Sequence, residues 1–388
     1  MENFQFCIGT NILFGKGQIS HLSEVVKPLG KRILLTYGGG SIKRTGLYDK
    51  VKEQLSDCEV HELDGIEPNP KLASVEAGAR ICKLHDIDVV LAVGGGSVID
   101  CSKAIAAAAL YDGNAWDLIT GVAHIEKALP LIAVPTMAAT GSEMDAGAVV
   151  SNPQTKEKRS FFSPHILPKV SILDPVNTFT VSAYQTASGS ADILSHLLEQ
   201  YFSAETTFMG DLMVESVMKT VIKYAPIAIV ESENYEARAQ LLWASNIADN
   251  AILCCGNRLC VFGVHAMEHE LSAFYDIAHG VGLAILTPRW MRHVLQKSPD
   301  VVVPRFAHFA RAVWGIEGND DATVARQGIE ATETFLKSLN IPTSLTEVGI
   351  GTEHFEDMAA HCVATEGVSH AWIPLNKEDI IRIFTESL

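Results

Sequence analysis

The stretch DVVLAVGGGSVIDCSKAIAAAAL, Asp88–Leu110, decides the fold. Asp88–Val93 is a continuous apolar run of strand length. Gly94-Gly95-Gly96-Ser97 follows, and an alanine-rich helical pattern runs from about Val98 to Leu110. A strand that is apolar on both faces belongs inside a parallel sheet covered on both sides. The same order recurs upstream. Lys31–Tyr37 (KRILLTY) reads as a strand, ends in Gly38-Gly39-Gly40-Ser41, and is followed by a helical pattern over Thr45–Leu55. Glu59–Leu63 reads as a strand before the Pro68-Asn69-Pro70 turn, and Val75–His85 as a helix. Leu131–Val134 and Ser171–Leu173 are further short strands.

Beyond about residue 182 the period changes to that of helices. Thr186–Phe202, Asp211–Ile229, Glu236–Ala251, Val281–Val294, Pro304–Val313, Ala322–Leu339 and Lys377–Glu386 space their apolar residues at i, i+3/i+4. The sequence therefore predicts an α/β dinucleotide-binding domain with a parallel sheet over residues 1–182. An all-helical domain is expected over 183–388. Ligands of such sheets bind beyond the carboxyl ends of the strands.

The chain has 388 residues, with 30 Lys+Arg against 46 Asp+Glu and a net charge of −16. So acidic a surface repels phosphate backbones and anionic lipids, which argues against nucleic acid or a membrane as partner. Mean hydropathy is +0.17, yet no run of about 18 apolar residues is present. The start, MENFQFCIGTN, has neither the basic end nor the apolar stretch of a signal peptide. The eight cysteines form no C-x-x-C pair, so reduced thiols and a cytoplasmic location are expected. Cys254, Cys255 and Cys260 crowd one segment, but their spacing matches no zinc or iron–sulfur pattern; they read as small buried hydrophobes.

Two glycine turns at strand ends let backbone N–H groups approach a ligand, with a helix N-terminus behind them. The pair Gly38–Ser41 and Gly94–Ser97 therefore reads as a dinucleotide cradle, although neither is G-x-G-x-x-G nor a P-loop. Thr136, Thr140 and Ser142 form a third, hydroxyl-rich turn after a strand. It suits either cofactor contacts or a helix cap.

Asp192 and His196 lie four apart in SADILSH and share a helix face. VHAMEHELSAFYDIAHG adds His265, His269 and His279, three of the fourteen histidines within fifteen residues. Imidazoles with a carboxylate suit zinc or non-haem iron. Spacing leaves open which of the histidines bind. Carboxylates beside other histidines, such as Asp86 after His85, suggest a metal-hydrolase alternative.

Together these motifs resemble the iron-containing (group III) alcohol dehydrogenase family, and most of all its bacterial butanol dehydrogenase branch. The matching segments are FGKG (Phe14–Gly17), YGGGSIKRTG (Tyr37–Gly46), EPNP (Glu67–Pro70), GGGSVIDCSK (Gly94–Lys103), ATGSE (Ala139–Glu143), SADILSH (Ser190–His196), the block His265–Gly280 and GVGLAILTP (Gly280–Pro288). They occur in order over nearly the whole chain. The resemblance implies a dehydroquinate synthase-like architecture, with an α/β domain, a helical domain and a cleft between them. It implies one divalent ion, Fe2+ expected and Zn2+ as the alternative, on Asp192, His196, His265 and His279. His269 matches the family histidine near nicotinamide and substrate. Gly94–Ser97 matches the pyrophosphate loop, with Asp100 just inside the helix. Thr136, Thr140, Ser142 and, in a weaker local match, Lys158 resemble further cofactor contacts. A homodimer is the family expectation.

The expected activity is NAD(P)(H)-dependent interconversion of primary alcohols and aldehydes such as butanol and butyraldehyde. NADP(H) is favoured over NAD(H). Tyr37 runs into small residues with no carboxylate before Asp49 to repel a 2′-phosphate, and Lys43 and Arg44 follow. A zinc polyol (glycerol-type) dehydrogenase, a dehydroquinate-synthase-like lyase and a non-catalytic metal-binding protein are the alternatives. The lyase would need more Lys and Arg than residues 190–200 and 262–282 offer.

Overall fold

The computed structural model describes residues 1–257 and 261–388. Cys260, one of the three crowded cysteines, lies outside the described residues. The first half alternates strands and helices as expected. The strands are β1 (Asn11–Phe14), β2 (Arg32–Tyr37), β3 (Glu59–Leu63), β4 (Val89–Gly94), β5 (Leu131–Pro135), β6 (Gly147–Asn152), β7 (Glu157–Phe162) and β8 (Val170–Leu173). The helices are α1 (Leu22–Val26), α2 (Ser41–Arg44), α3 (Leu47–Gln54), α4 (Leu72–Leu84), α5 (Gly96–Ala108) and α6 (Ala115–Ile119).

Six strands form one parallel sheet in the order β1-β8-β5-β4-β2-β3. Every residue of β4 is buried. Val89, Leu91 and Val93 join Ile33 and Leu35 in the apolar cluster on one face. Val90 and Ala92 join Leu34 and the Ile99 and Ile105 side of α5 on the other. This alternation on a strand buried on both faces is why β4 reads as an unbroken apolar run.

Local chemistry explains where the structure departs from the sequence reading. The helix expected over Thr45–Leu55 is α3, and a short additional helix, α2, precedes it, the two parted at Gly46 with φ 75. The antiparallel hairpin β6–β7 went unread, since EKRSFF carries three charges and little apolar alternation.

The second half holds α7 (Ala183–Tyr201), α8 (Phe208–Val230), α9 (Tyr235–Ala248), α10 (Gly263–Tyr275), α11 (His279–Lys297), α12 (Pro299–Trp314), α13 (Asp321–Ser338), α14 (Phe355–Thr365) and α15 (Lys377–Glu386). Pro304 does not open its helix. Pro299 does, at the first helical position where a missing N–H costs least. Asn376 and Asp379 cap α15 reciprocally.

The chain divides into two compact units. One comprises Cys7–Ser182 with Glu231–Asn250, the other Met1–Phe6, Ala183–Val230 and Ala251–Leu388. Helix α9 thus belongs with the sheet, although it lies beyond residue 182. Asn246 Nδ2 donates to Glu143 Oε1 at 2.7 Å, a contact across 103 residues that no local pattern announces. Among the described residues no helix is long and apolar enough to cross a membrane.

Candidate metal centre

Helix α7 brings Asp192 and His196 to one face, a turn apart. Helix α10 carries His265 and His269, and His279 opens α11. The start of α11 packs tightly on α7. A Cβ placed on Gly280 would lie 1.9 Å from the Ser188 carbonyl oxygen, so only glycine fits there.

The geometry centres on Asp192 Oδ1. His196 Nε2 lies 3.7 Å from it, His265 Nε2 3.6 Å and His279 Nε2 3.6 Å. These separations exceed hydrogen-bond length. The donor atoms of Asp192, His265 and His279 all lie within 4.8 Å of one another, a spacing that suits ~2.1 Å bonds to one ion, while His196 joins the group through Asp192. Asp192 Oδ1 and His265 Nε2 are buried and have no hydrogen-bond partner among the described residues. Buried polar atoms in proteins are nearly always paired, so such a pair facing one point suits a cation there.

Charge tells the same story. Burial raises the Asp192 carboxyl, but His196, His279 and His265 outweigh it and hold it below the usual carboxylate range. Burial pushes His196 down to about 4, keeping its imidazole neutral. For His265 burial acts downward, yet the carboxylates of Glu199 and Asp192 win and raise it to about 10. Those carboxylates demand positive charge at this point, which a proton or a divalent ion supplies. The site's residues therefore fit a divalent metal.

Two glutamates that the sequence reading did not single out touch the cluster. His265 Nδ1 is 2.5 Å from Glu199 Oε1, and His279 Nδ1 is hydrogen-bonded to Glu268. Glu199 lies seven residues after Asp192 and Glu268 three after His265. Both are on the histidine-bearing helix faces, a signal the spacing contained. His269 is also buried. Its ring centre lies 5.8 Å from that of His279, and its Nδ1 lies 3.7 Å from Glu366 Oε2. His279 is the most open of the four centred on Asp192, with 23% of its side chain exposed against 8% for His265.

A second grouping, Glu59, His61 and His85, also gathers potential donors. There Glu59 is exposed and already pairs with His61 Nε2 at 2.8 Å.

In the sheet unit, Gly38–Ser41 and Gly94–Ser97 end the neighbouring strands β2 and β4. Thr136 follows β5, its N–H donating to the Gly94 carbonyl at 3.0 Å. Thr140 packs against Gly96, where a Cβ would come within 2.4 Å of its Oγ1. The structure thus brings both loops and the threonine turn to the carboxyl end of the parallel sheet. Ser142 Oγ donates to Asp100 Oδ1 at 2.5 Å, and Val149 N–H to Asp100 Oδ2 at 3.0 Å. Burial raises Asp100 to about 6. Lys158 stands on β7, in the separate two-stranded sheet. Lys43 sits 4.9 Å over the Tyr37 ring and 5.0 Å over Tyr48, while both phenols donate to Glu62.

Comparison with known proteins agrees with this architecture. Residues 9–175 match the iron-containing alcohol dehydrogenase family, and 186–388 the C-terminal part of the Fe-containing alcohol dehydrogenase family. The chain is 46% identical to NADH-dependent butanol dehydrogenase A of Clostridium acetobutylicum over 100% of both. It is 38% identical to the NADPH-dependent aldehyde reductase YqhD of Escherichia coli over 90% of each. The crystal structure of NADH-dependent butanol dehydrogenase A from Thermotoga maritima superposes with a TM-score of 0.95 at 39% identity, covering 100% of this chain and 99% of the other. The fold is that of an oxidoreductase with a parallel-sheet domain and a helical domain. The chain belongs to the iron-containing alcohol dehydrogenase family, and its function is that of an alcohol dehydrogenase/aldehyde reductase. Membership implies a nicotinamide dinucleotide and a divalent metal.

Proposed function

We propose that this enzyme interconverts short primary alcohols and aldehydes, butanol and butyraldehyde among them, with one Fe2+ held by Asp192, His196, His265 and His279. Zn2+ is the alternative occupant, since it outcompetes Fe2+ at nitrogen ligands. The observation that carries this reading is the convergence of three imidazole Nε2 atoms on Asp192 Oδ1 at 3.6–3.7 Å. The bound groups supply Lewis acidity at the substrate oxygen and hydride exchange at carbon.

The chain's own residues do the rest. His279 is the ligand nearest solvent, so substrate enters on its side. His269 holds the proton that leaves or returns to the alcohol oxygen, with Glu366 behind its Nδ1. Its burial keeps bulk water away from the exchange. The loops Gly38–Ser41 and Gly94–Ser97, with Thr136 and Thr140, cradle the dinucleotide. Asp100 orients Ser142 for this through their 2.5 Å hydrogen bond. Lys158 is a further cofactor contact from β7.

NADP(H) is favoured over NAD(H) by a narrow margin. No carboxylate ends β2 to repel a 2′-phosphate, but the Lys43 charge is shared with Tyr37, Tyr48 and Glu62. Relatives of both kinds, an NADH-dependent butanol dehydrogenase at 46% and an NADPH-dependent aldehyde reductase at 38% identity, agree with a loop that discriminates weakly. The enzyme works in the reducing cytoplasm, where free thiols such as Cys82, Cys101 and Cys362 persist. It acts as a homodimer, and the outer edge of β1 is the surface for it.

The test is a steady-state assay of butyraldehyde reduction with NADPH and NADH on iron- and zinc-loaded protein. We expect turnover with both cofactors and a larger kcat/KM for NADPH, by less than about tenfold. Failure to oxidise either cofactor overturns the activity; preferential turnover of glycerol points to a polyol enzyme. A hundredfold preference for NADH overturns the cofactor assignment alone.

A further inference from the structure

Three helices contribute to the cluster, and the carboxylates that face its histidines are distributed in a particular way. Helix α7 carries Asp192, His196 and, one further turn along, Glu199. Glu199 acts beyond its own helix. It reaches α10, where its Oε1 lies 2.5 Å from His265 Nδ1 and its Oε2 accepts the backbone N–H of Val264 at 2.8 Å and of His265 at 3.4 Å. These amides lie in the first turn of α10, where helical partners are lacking. Ser195 Oγ donates to Glu199 Oε1 at 3.1 Å. The carboxylate is thus held by backbone and hydroxyl donors while it grips the imidazole.

Helix α10 repeats the arrangement one step on. Its Glu268, fully buried, is hydrogen-bonded to Nδ1 of His279 on α11 and to Ser272 Oγ of its own helix. Close contact keeps it there. A Cβ on Gly282 of α11 would lie 2.7 Å from Glu268 Cγ. Each carboxylate therefore aims a histidine on the next helix of the cluster, α7 to α10 and α10 to α11. A carboxylate on Nδ1 makes that nitrogen the protonated one. It turns the Nε2 lone pair to the opposite side of the ring, and here that side faces Asp192 Oδ1 for both histidines.

We propose that Glu199 and Glu268 are positioning residues that fix the tautomer and orientation of His265 and His279 for a divalent ion. This rests on the metal site of the proposed function. Their expected contribution is a 10–100-fold gain in metal affinity each, the usual effect of such outer carboxylates.

The experiment titrates metal-free full-length protein with Co2+ against a competing chelator and records the visible d–d bands. It compares wild type, Glu199→Gln, Glu268→Gln and Asp192→Ala. Glutamine keeps an acceptor for the α10 amides, so thermal melts of the metal-free variants report folding separately. We expect Asp192→Ala to abolish tight binding. Each glutamine variant should weaken binding by about 10–100-fold and move the Co2+ bands, because the field at the histidine nitrogen changes. Wild-type affinity and spectrum in both glutamine variants, with binding lost in Asp192→Ala, overturn the positioning role and leave the metal site standing. Wild-type binding by Asp192→Ala overturns the metal site itself. If one glutamine variant fails to fold, the other decides, since the two serve different histidines.

Discussion

Among the described residues, groups of three or more histidines and carboxylates with donor atoms close enough to hold an ion lie in two places, and the two behave oppositely. On β3 and at the end of α4, Glu59, His61 and His85 lie at a half-exposed surface. The His61 and His85 rings stack at 3.8 Å, and Glu59 bonds His61 Nε2 directly. In the helical unit Asp192 meets three imidazoles and bonds none of them at hydrogen-bond length. The surface group satisfies itself; the buried group leaves Asp192 Oδ1 and His265 Nε2 waiting. A set of donors therefore marks an ion site when burial denies the donors water and distance denies them one another. Proximity of the right residue types is not enough.

The contrast breaks first at His265. His265→Ala should empty the buried site and lower turnover by about a thousandfold or more, the loss of ~4 kcal/mol of Lewis-acid stabilisation. Elemental analysis and butyraldehyde assays check both. Full metal occupancy in this variant would remove His265 from the ligand set.

His269→Ala separates proton handling from metal binding. Metal content should stay at wild type while kcat falls by about a hundredfold and the pH–rate curve changes shape. An unchanged curve would sink the proton role.

Glu143 sharpens the comparison from the sheet unit. It is as buried as Asp192, but it faces Asn246 instead of imidazoles, and burial raises it to about 7. Burial alone thus drives a carboxyl up, and only the histidines drive Asp192 down. A folded pKa above the unfolded value means the folded state binds the extra proton. That stability is complete below about 4.5 and is lost as pH rises through about 7. Glu143→Gln should raise the melting temperature by about 2–4 °C at pH 8 and leave it unchanged at pH 4, assuming ~1 kcal/mol relieved. Equal shifts at both pH values would exclude titration as the cause.

The smallest effect belongs to the surface group. His61→Ala should leave both the metal equivalents bound and turnover at wild-type values. A fall in stoichiometry would show that the surface histidines hold an ion after all.

How much of this could be read in advance depends on whether the cause is local. Val89–Val93 announces its strand because both faces of β4 are buried, and Asp192 with His196 announces a shared helix face by spacing. The binding of α9 to the sheet is not legible, since it rests on packing such as Asn246 against Glu143. Nor does spacing choose among His265, His269 and His279. The fold puts Nε2 of His265 and His279 at 3.6 Å from Asp192 Oδ1 and sets His269 beside Glu366 and in a further donor grouping with Glu268 and His279. Lys43 reads as a free cation at a helix start, but the rings of Tyr37 and Tyr48, both within about 5 Å, claim it.

Gly280 has a consequence for which ions the enzyme can accept. The backbones of α7 and α11 touch there, so the gap between Asp192 and His279 is gauged by main chain against main chain. Flexible side chains could stretch to suit ions of many sizes, but two abutting backbones cannot. The 3.6 Å between Asp192 Oδ1 and His279 Nε2 suits an ion with bonds of ~2.0–2.2 Å to nitrogen and oxygen. Calcium is disfavoured there by its preference for oxygen donors, and any side chain at position 280 would widen the gap.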